Sequence, residues 1–264
     1  QVEKALPKGK HALQLHSLAT PNGVKVTGLL EELNLKYGTE YDAYIVDIMS
    51  GEQFNSGFVD ANPNSKIPAL LHYKDGLDQP PLRVFETSAI MIYLCEIFDT
   101  ENVFYPKIGD PKRAECLSWT MWTQGSAPFL GGGFGHFFNY APVKIQYAID
   151  RYTMETKRQL DVLDRHLGGL SQGGGGPFLC GDQCTIAALA CWPWYGNIVL
   201  GTLYDGSAEF LNVEEYTHVM TWAHMMRKRV GVDRGRKVNR SWGPESDKLP
   251  ERHSAKDFEA LEKL

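Results

Sequence analysis

The chain has 264 residues, enough for two domains or one large one against a typical domain of roughly 150, so a single small module is excluded. Hydrophobic side chains at 43% and charged ones at 22% are the usage of a folded protein with a sizeable core, which excludes wholesale disorder. With 27 basic against 32 acidic side chains the net charge is −5, which argues against a body built to coat nucleic acid or an anionic membrane and favours a small-molecule partner. Five cysteines, an odd number, make no disulfide framework and predict free thiols in a reducing compartment. The opening QVEKALPKGK is charged and has no apolar core of a secretory signal, so the expectation is an intracellular, cytoplasmic protein. The stretches Cys116–Val143 and Gln183–Tyr204 carry no formal charge and are long enough to span a bilayer. The first holds Pro128, Gly131–Gly133, Gln124, His136 and Asn139, and the second reads as a buried helix of a soluble bundle, so no membrane partner is expected.

Residues 1–10 read as a tail. Leu13–His16 alternates like a strand. After the turn residues Thr20-Pro21-Asn22-Gly23, the apolar positions Val24, Val26, Leu29, Leu30 and Leu33 mark a first amphipathic helix. Tyr41–Ile48 reads as a second strand, and the polar stretch Ser50–Ser65 separates it from Ile67–Leu71, which forms a hairpin with Leu82–Phe85. The apolar period from Thr87 to Phe98 predicts a helix capped by Thr87 or Ser88. This βαβ, ββα order over residues 11–98 is the layout of a thioredoxin-like domain. Asp99–Asp110 is polar, contains Pro106 and Gly109, and reads as a linker. Helical patterns follow over about Pro111–Ala127, Val143–Leu167, Thr185–Leu200 and Val213–Arg229, so residues 111–241 predict an all-α bundle. The charged residues 242–264 read as a tail that wraps the surface or is loosely held.

Two features of the first domain bear on chemistry. A cis proline before the third strand, at Pro68, would expose the Ile67 backbone to clamp a peptide-like ligand, although an ordinary strand-opening proline is the commoner reading. Redox proteins of this layout place Cys-x-x-Cys where the first strand meets the first helix, because the helix N-terminus stabilises a thiolate. Here that position reads Thr20-Pro21-Asn22-Gly23, with no thiol. Any thiol chemistry must bring its sulfur with a ligand, which Thr20 Oγ1 or the Asn22 amide would hold as thiolate. The bland alternative makes Thr20 an N-cap and Pro21 the first helical residue.

The runs HSLATPNGVKV, GFVDANPNSKIPALL, RVFETSAIMIYL, QGSAPFLGGGFGHFFNYAPVKIQYAIDRYTMETKRQLDVLD and CWPWYGNIVLG resemble glutathione S-transferases of the Nu class, the disulfide-bond reductases related to the transferase-like domain of the yeast prion protein. The resemblance covers the chain from about Lys8 to its end. It implies a thioredoxin-like glutathione-binding domain followed by a helical bundle, and glutathione-dependent disulfide reduction without a protein cysteine. It places Thr20, Pro21 and Asn22 beside the glutathione sulfur, and Gln53, Lys66 and Ile67 along the tripeptide. Glu86 would pair with the γ-glutamyl ammonium and Thr87 would receive the α-carboxylate. Gln124 and Arg151 would reach a second glutathione, and a homodimer is implied. Conventional conjugation or peroxide reduction uses the same thiolate, and a non-catalytic glutathione-binding regulator would keep the same residues.

The chain departs from these relatives where Thr87 replaces a serine and where Ala188 replaces the aspartate that completes a capping box with Thr185. Other motifs weaken on inspection. Cys180 and Cys184 have a metal-clip spacing but no second ligand pair, so no metal is expected. The run Gly131–Gly135 lacks the Lys-Ser/Thr of a phosphate loop and reads as a tight-packing loop. Seven of the fourteen residues from Arg227 to Arg240 are basic, which reads as a solvated helix end and not as a nucleic-acid surface.

Overall fold

A computed structural model of the chain describes residues 2–261. The chain folds as two compact units: the residues up to Thr100 together with the segment from Val230 onward, and Glu101–Arg229. The segment after Val230 thus joins the first unit, whereas the sequence pattern extends the helical bundle to residue 241.

In the first unit a mixed sheet runs in the order β2-β1-β3-β4, with β1 (Leu13–Ser17), β2 (Asp42–Ile45), β3 (Ala69–His72) and β4 (Leu82–Phe85). β1 pairs with β2 in parallel and with β3 antiparallel, and β3 pairs antiparallel with β4. The parallel pair needs a crossover, supplied by α1 (Pro21–Tyr37). α3 (Thr87–Phe98) packs on α1, and together they bury Leu29, Leu33, Ile90, Met91 and Leu94 completely. The polar stretch after β2 is not all loop: it contains α2 (Ser56–Ala61), whose Phe58 is fully buried with Val46, Ala69 and Leu71. The N-terminal segment lies along α2, where Ser56 N–H donates to Val2 C=O at 3.0 Å and Gly57 N–H to Lys4 C=O at 3.1 Å. On β1, His16 is fully buried and stacks on Tyr44 with ring centroids 5.5 Å apart.

The C-terminal segment is built into this unit and is not a loose tail. α10 (Val230–Gly235) crosses α1 so closely that a Cβ on Gly235 would lie 2.5 Å from Gly28 Cα, and Thr27 Oγ1 donates to Gly235 C=O at 2.7 Å. Further on, Arg252 bridges backbone to backbone with Ala43 and buries its guanidinium completely. Its Nε donates to Glu31 Oε1 at 3.0 Å, its Nη1 to Glu40 Oε2 at 2.6 Å and to Tyr41 C=O at 2.7 Å, and its plane lies 3.9 Å above the Tyr41 ring. Burial pushes the Glu31 carboxyl upward while the Arg252 charge holds it down. Sequence composition missed this because a run rich in charge and proline looks solvated, whereas one arginine in it is the counter-ion of a buried glutamate.

The second unit is helical, and among its described residues the only β pairing is an isolated bridge between Phe178 and Gly181. α4 (Pro111–Pro128) opens on Asp110, which accepts from Lys112 N–H at 2.9 Å, with Pro111 at the first helical position. Pro128 lacks an N–H, and the chain continues as a wider coil, Phe129–Tyr140, with i→i+5 bonds, closed by Ala141 N–H to His136 C=O at 2.7 Å. The run Gly131–Gly135 is therefore helical and not a loop. Its glycines serve packing, since a Cβ on Gly133 would meet Tyr152 at 2.4 Å and one on Gly135 would meet Tyr204 at 2.1 Å. α5 (Gln146–Leu167) follows, and α6 (Ile186–Cys191) runs on through a wide turn at Trp192–Gly196 into α7 (Asn197–Val199) as the buried helix expected. At its start Thr185 makes no capping bond, and its buried hydroxyl lies instead against the Cys116 and Cys180 thiols. α8 (Ser207–Leu211) and α9 (Thr217–Arg227) complete the unit. No described helix is long and apolar enough to cross a membrane.

The Glu31–Arg252 pair carries the C-terminal segment, so Arg252→Ala leaves a buried carboxylate without its counter-ion. The expected loss is about 3–5 kcal/mol in urea unfolding. A loss below about 1 kcal/mol, the range of an exposed pair, contradicts this reading.

Candidate glutathione site

Strand register brings four segments to one end of the sheet. His16 on β1 stands opposite Ala69 on β3, and Ala69 stands opposite Phe85 on β4. The turn after β1, the residues just before β3 and those just after β4 therefore leave the sheet side by side. Ser17 pairs with Ile45 at the end of β2, so the segment carrying Gln53 leaves from the same end. Thr20, Ile67, Glu86 and Gln53 thus belong to one edge of the first unit, as a shared site requires.

Thr20 is the N-cap of α1, accepting from Gly23 N–H at 3.4 Å, with Pro21 at the first helical position. The cap uses Thr20 Oγ1 as an acceptor, which is compatible with its hydroxyl proton being donated to a ligand beyond the helix start. Thr20, Pro21 and Asn22 are all partly exposed there. Gly23 is demanded by sterics, because a Cβ would sit 1.9 Å from Leu18 C=O and 2.7 Å from Ser17 Oγ.

Pro68 is buried and the Ile67–Pro68 peptide bond is cis. Among the described residues neither the N–H nor the C=O of Ile67 pairs with another backbone group, which leaves both for an extended ligand. The loop leading to it is held by Asn62, a buried residue to which the sequence reading assigned no role. Asn62 Oδ1 accepts from Asn64 N–H at 2.9 Å and Nδ2 donates to Lys66 C=O at 2.6 Å. The signal was present as an Asn two residues before another turn residue, the pattern of a side chain that bonds its own backbone. The Lys66 side chain is exposed.

Glu86 has φ 71°, a left-handed value that a non-glycine residue adopts only where its surroundings impose it. It precedes α3, accepts the helix's first bond from Ile90 N–H at 2.9 Å, and is exposed, while Thr87 is buried at the helix start. Gln53 Nε2 donates to Ile48 C=O at 3.3 Å, and its Oε1 is buried with no partner among the described residues. Two helix N-termini, an open backbone edge, a carboxylate and an orphaned amide oxygen therefore meet at one sheet end, a donor and acceptor set suited to a zwitterionic peptide with free carboxylates. Gln124 lies on α4 and Arg151 on α5, both in the second unit, Gln124 partly exposed and Arg151 exposed.

No cysteine occupies this edge. All five are free and buried. Cys116, whose thiol the Cys180 hydrogen bond draws down to about 7, has no exposed surface and belongs to α4 in the second unit. Among the described residues no group of three or more His, Cys, Asp or Glu is placed to hold a metal ion, Cys180 and Cys184 included.

The sheet order, the helices after β1 and β4 and the open edge before β3, with a helical unit following, define a glutathione S-transferase fold. Residues 20–97 match the family model "Glutathione S-transferase, N-terminal domain". The chain is 55% identical over 97% of its length to the disulfide-bond oxidoreductase YghU of Escherichia coli strain K12, of which it covers 85%. It is 34% identical over 82% of its length to the disulfide-bond oxidoreductase YfcG of the same organism, covering 91% of that protein. It therefore belongs to the glutathione S-transferase family. Its fold is also that of a solved Streptococcus pneumoniae glutathione transferase YghU complexed with glutathione, with a TM-score of 0.83 and 49% identity over 91% of this chain and 88% of that one. A Pseudomonas fluorescens family member with two glutathiones bound aligns with a TM-score of 0.74 and 32% identity over 86% of this chain and 92% of the other.

Gly23→Ala tests whether the turn that opens α1 shapes this site. Because the intruding Cβ meets backbone, the expected result is a loss of stability of about 2 kcal/mol or more together with weakened glutathione binding in calorimetry. A variant as stable and as tight-binding as the parent contradicts it.

Proposed function

We propose that the protein is a glutathione-dependent disulfide-bond oxidoreductase in which the reacting sulfur belongs to glutathione. The observation that carries this reading is the thiol-free start of α1, where the Thr20 hydroxyl and the helix N-terminus stand in the place a redox protein of this fold gives to its own cysteine. The names of its relatives, disulfide-bond oxidoreductases among them, support it.

The glutathione thiol, donating its proton to solvent, becomes a thiolate held by the Thr20 hydroxyl and the Asn22 amide at the positive end of α1. Pro21 fixes that turn. Ile67, next to Pro68, clamps the cysteinyl backbone, Lys66 and Gln53 serve the glycyl end and the backbone, and Glu86 with Thr87 and the start of α3 hold the γ-glutamyl ammonium and carboxylate. The thiolate attacks one sulfur of a disulfide, forming a mixed disulfide and expelling the other sulfur as thiolate, which takes up a proton. A second glutathione thiolate attacks the glutathione sulfur of that mixed disulfide, so glutathione disulfide and the second substrate thiol leave. Two glutathiones are thereby oxidised and one disulfide is reduced to two thiols. We assign the second glutathione to Gln124 and Arg151, a role the neighbour with two glutathiones supports by analogy. No residue of the protein changes oxidation state, and no metal is used. A homodimer in the cytoplasm is part of the same reading, supported by family membership and by five cysteines that form no disulfide.

Glutathione-dependent reduction of 2-hydroxyethyl disulfide tests the proposal. Thr20→Ala is expected to lower kcat/KM by about 10- to 100-fold, the equivalent of about 1.5–3 kcal/mol for a hydrogen bond to a charged group. Replacing all five cysteines by alanine or serine is expected to leave the rate within a few-fold of the parent in protein that remains folded. Loss of activity in that folded variant, or a Thr20→Ala enzyme as fast as the parent, overturns it.

A further inference from the structure

The first unit holds a cleft of about 410 Å³ on the α2 side of its sheet, within the size range of small-molecule sites. Leu6, Val46 and Phe58 form apolar wall, and His16, Glu52 and Glu251 are its ionisable groups together with Lys4. Both ends of the chain build it, the N-terminal segment through Leu6 and the C-terminal one through Glu251. None of Thr20, Asn22, Gln53, Ile67, Glu86 and Thr87 lines it.

His16 is the unexplained group. It is fully buried and neither ring nitrogen has a hydrogen-bond partner among the described residues, an arrangement that is costly and calls for a missing partner. Burial lowers its pKa to about 4, so at neutral pH the ring is uncharged, with one nitrogen an acceptor. The charges around it are unequal. Glu52 is matched by Lys4 at 2.6 Å, but Glu251 is half-exposed and among the described residues its ion-pair partner is His253, at 3.2 Å, whose other nitrogen is already taken by Asp42 at 2.8 Å. An anion such as glutathione would meet these carboxylates unfavourably, whereas an ammonium would find a carboxylate to pair with beside an apolar wall.

We propose that this cleft is a second small-molecule site, separate from the glutathione site, that takes a compact apolar amine with its ammonium facing Glu251 and the acceptor nitrogen of His16 and its body against Leu6, Val46 and Phe58.

Benzylamine, with benzyl alcohol and benzoate as neutral and anionic isosteres, tests the proposal by calorimetry on the full chain in the presence of saturating glutathione. Benzylamine is expected to bind saturably under those conditions, about tenfold tighter than either isostere. Glu251→Gln is expected to weaken it about fivefold, and His16→Phe, which keeps the stack on Tyr44, to weaken it by a similar factor, both in protein whose thermal unfolding remains cooperative. Absence of saturable binding, displacement of benzylamine by glutathione, benzoate binding as tightly as benzylamine, or an unchanged affinity in Glu251→Gln overturns the proposal. Should His16→Phe fail to fold, Glu251→Gln alone decides it.

Discussion

Everything at the glutathione site depends on the register of three strands. Because His16, Ala69 and Phe85 stand in one row, the turn opening α1, the cis Ile67–Pro68 bond and the left-handed Glu86 leave the sheet at the same end. A slip of one residue would turn each strand's side chains to the opposite face and carry these groups out of line. Register is held by burial on both faces: every residue of β1 and of β3 is buried. The candidate site is thus aimed by core packing.

The same economy shows in the chain ends. The N-terminal segment covers α2 and the C-terminal segment supplies Arg252 to Glu31, 221 residues away, so the thioredoxin-like layer is completed by both ends of the chain. A buried ion pair contributes little net stability compared with an apolar pair of the same shape, but removing one partner is severe. Its role here is to specify where the segment docks.

Much of this was legible in the sequence. The strands and helices of residues 11–98 follow from alternation and helical period, and the absence of cysteine at Thr20-Pro21-Asn22 is what points the proposed chemistry to a ligand's sulfur. Three things were not legible, for identifiable reasons. α2 is six residues long, too short for its period to rise above the polar residues around it. The glycines at 131, 133 and 135 signal a break by propensity, but they are set by the rings of Trp194, Tyr152 and Tyr204 that pack where a Cβ would be, a tertiary demand that overrides helix preference. The docking of Arg252 could not be read from sequence because its partner is 221 residues away. Of the candidate site, the residues proposed to hold a ligand came through family resemblance, while Asn62, which holds the loop before the cis bond, was passed over because it acts on its own backbone.

Under the proposed function the reacting thiolate belongs to glutathione, and the protein tunes it. The most direct measurement is the ionisation of the bound glutathione thiol, followed by thiolate ultraviolet absorbance against pH in the parent and in Asn22→Ala. The account predicts an apparent pKa at least about one unit below the value of roughly 8.5 for a free cysteine thiol, moving back toward it in the variant. A bound thiol that titrates like the free one contradicts it.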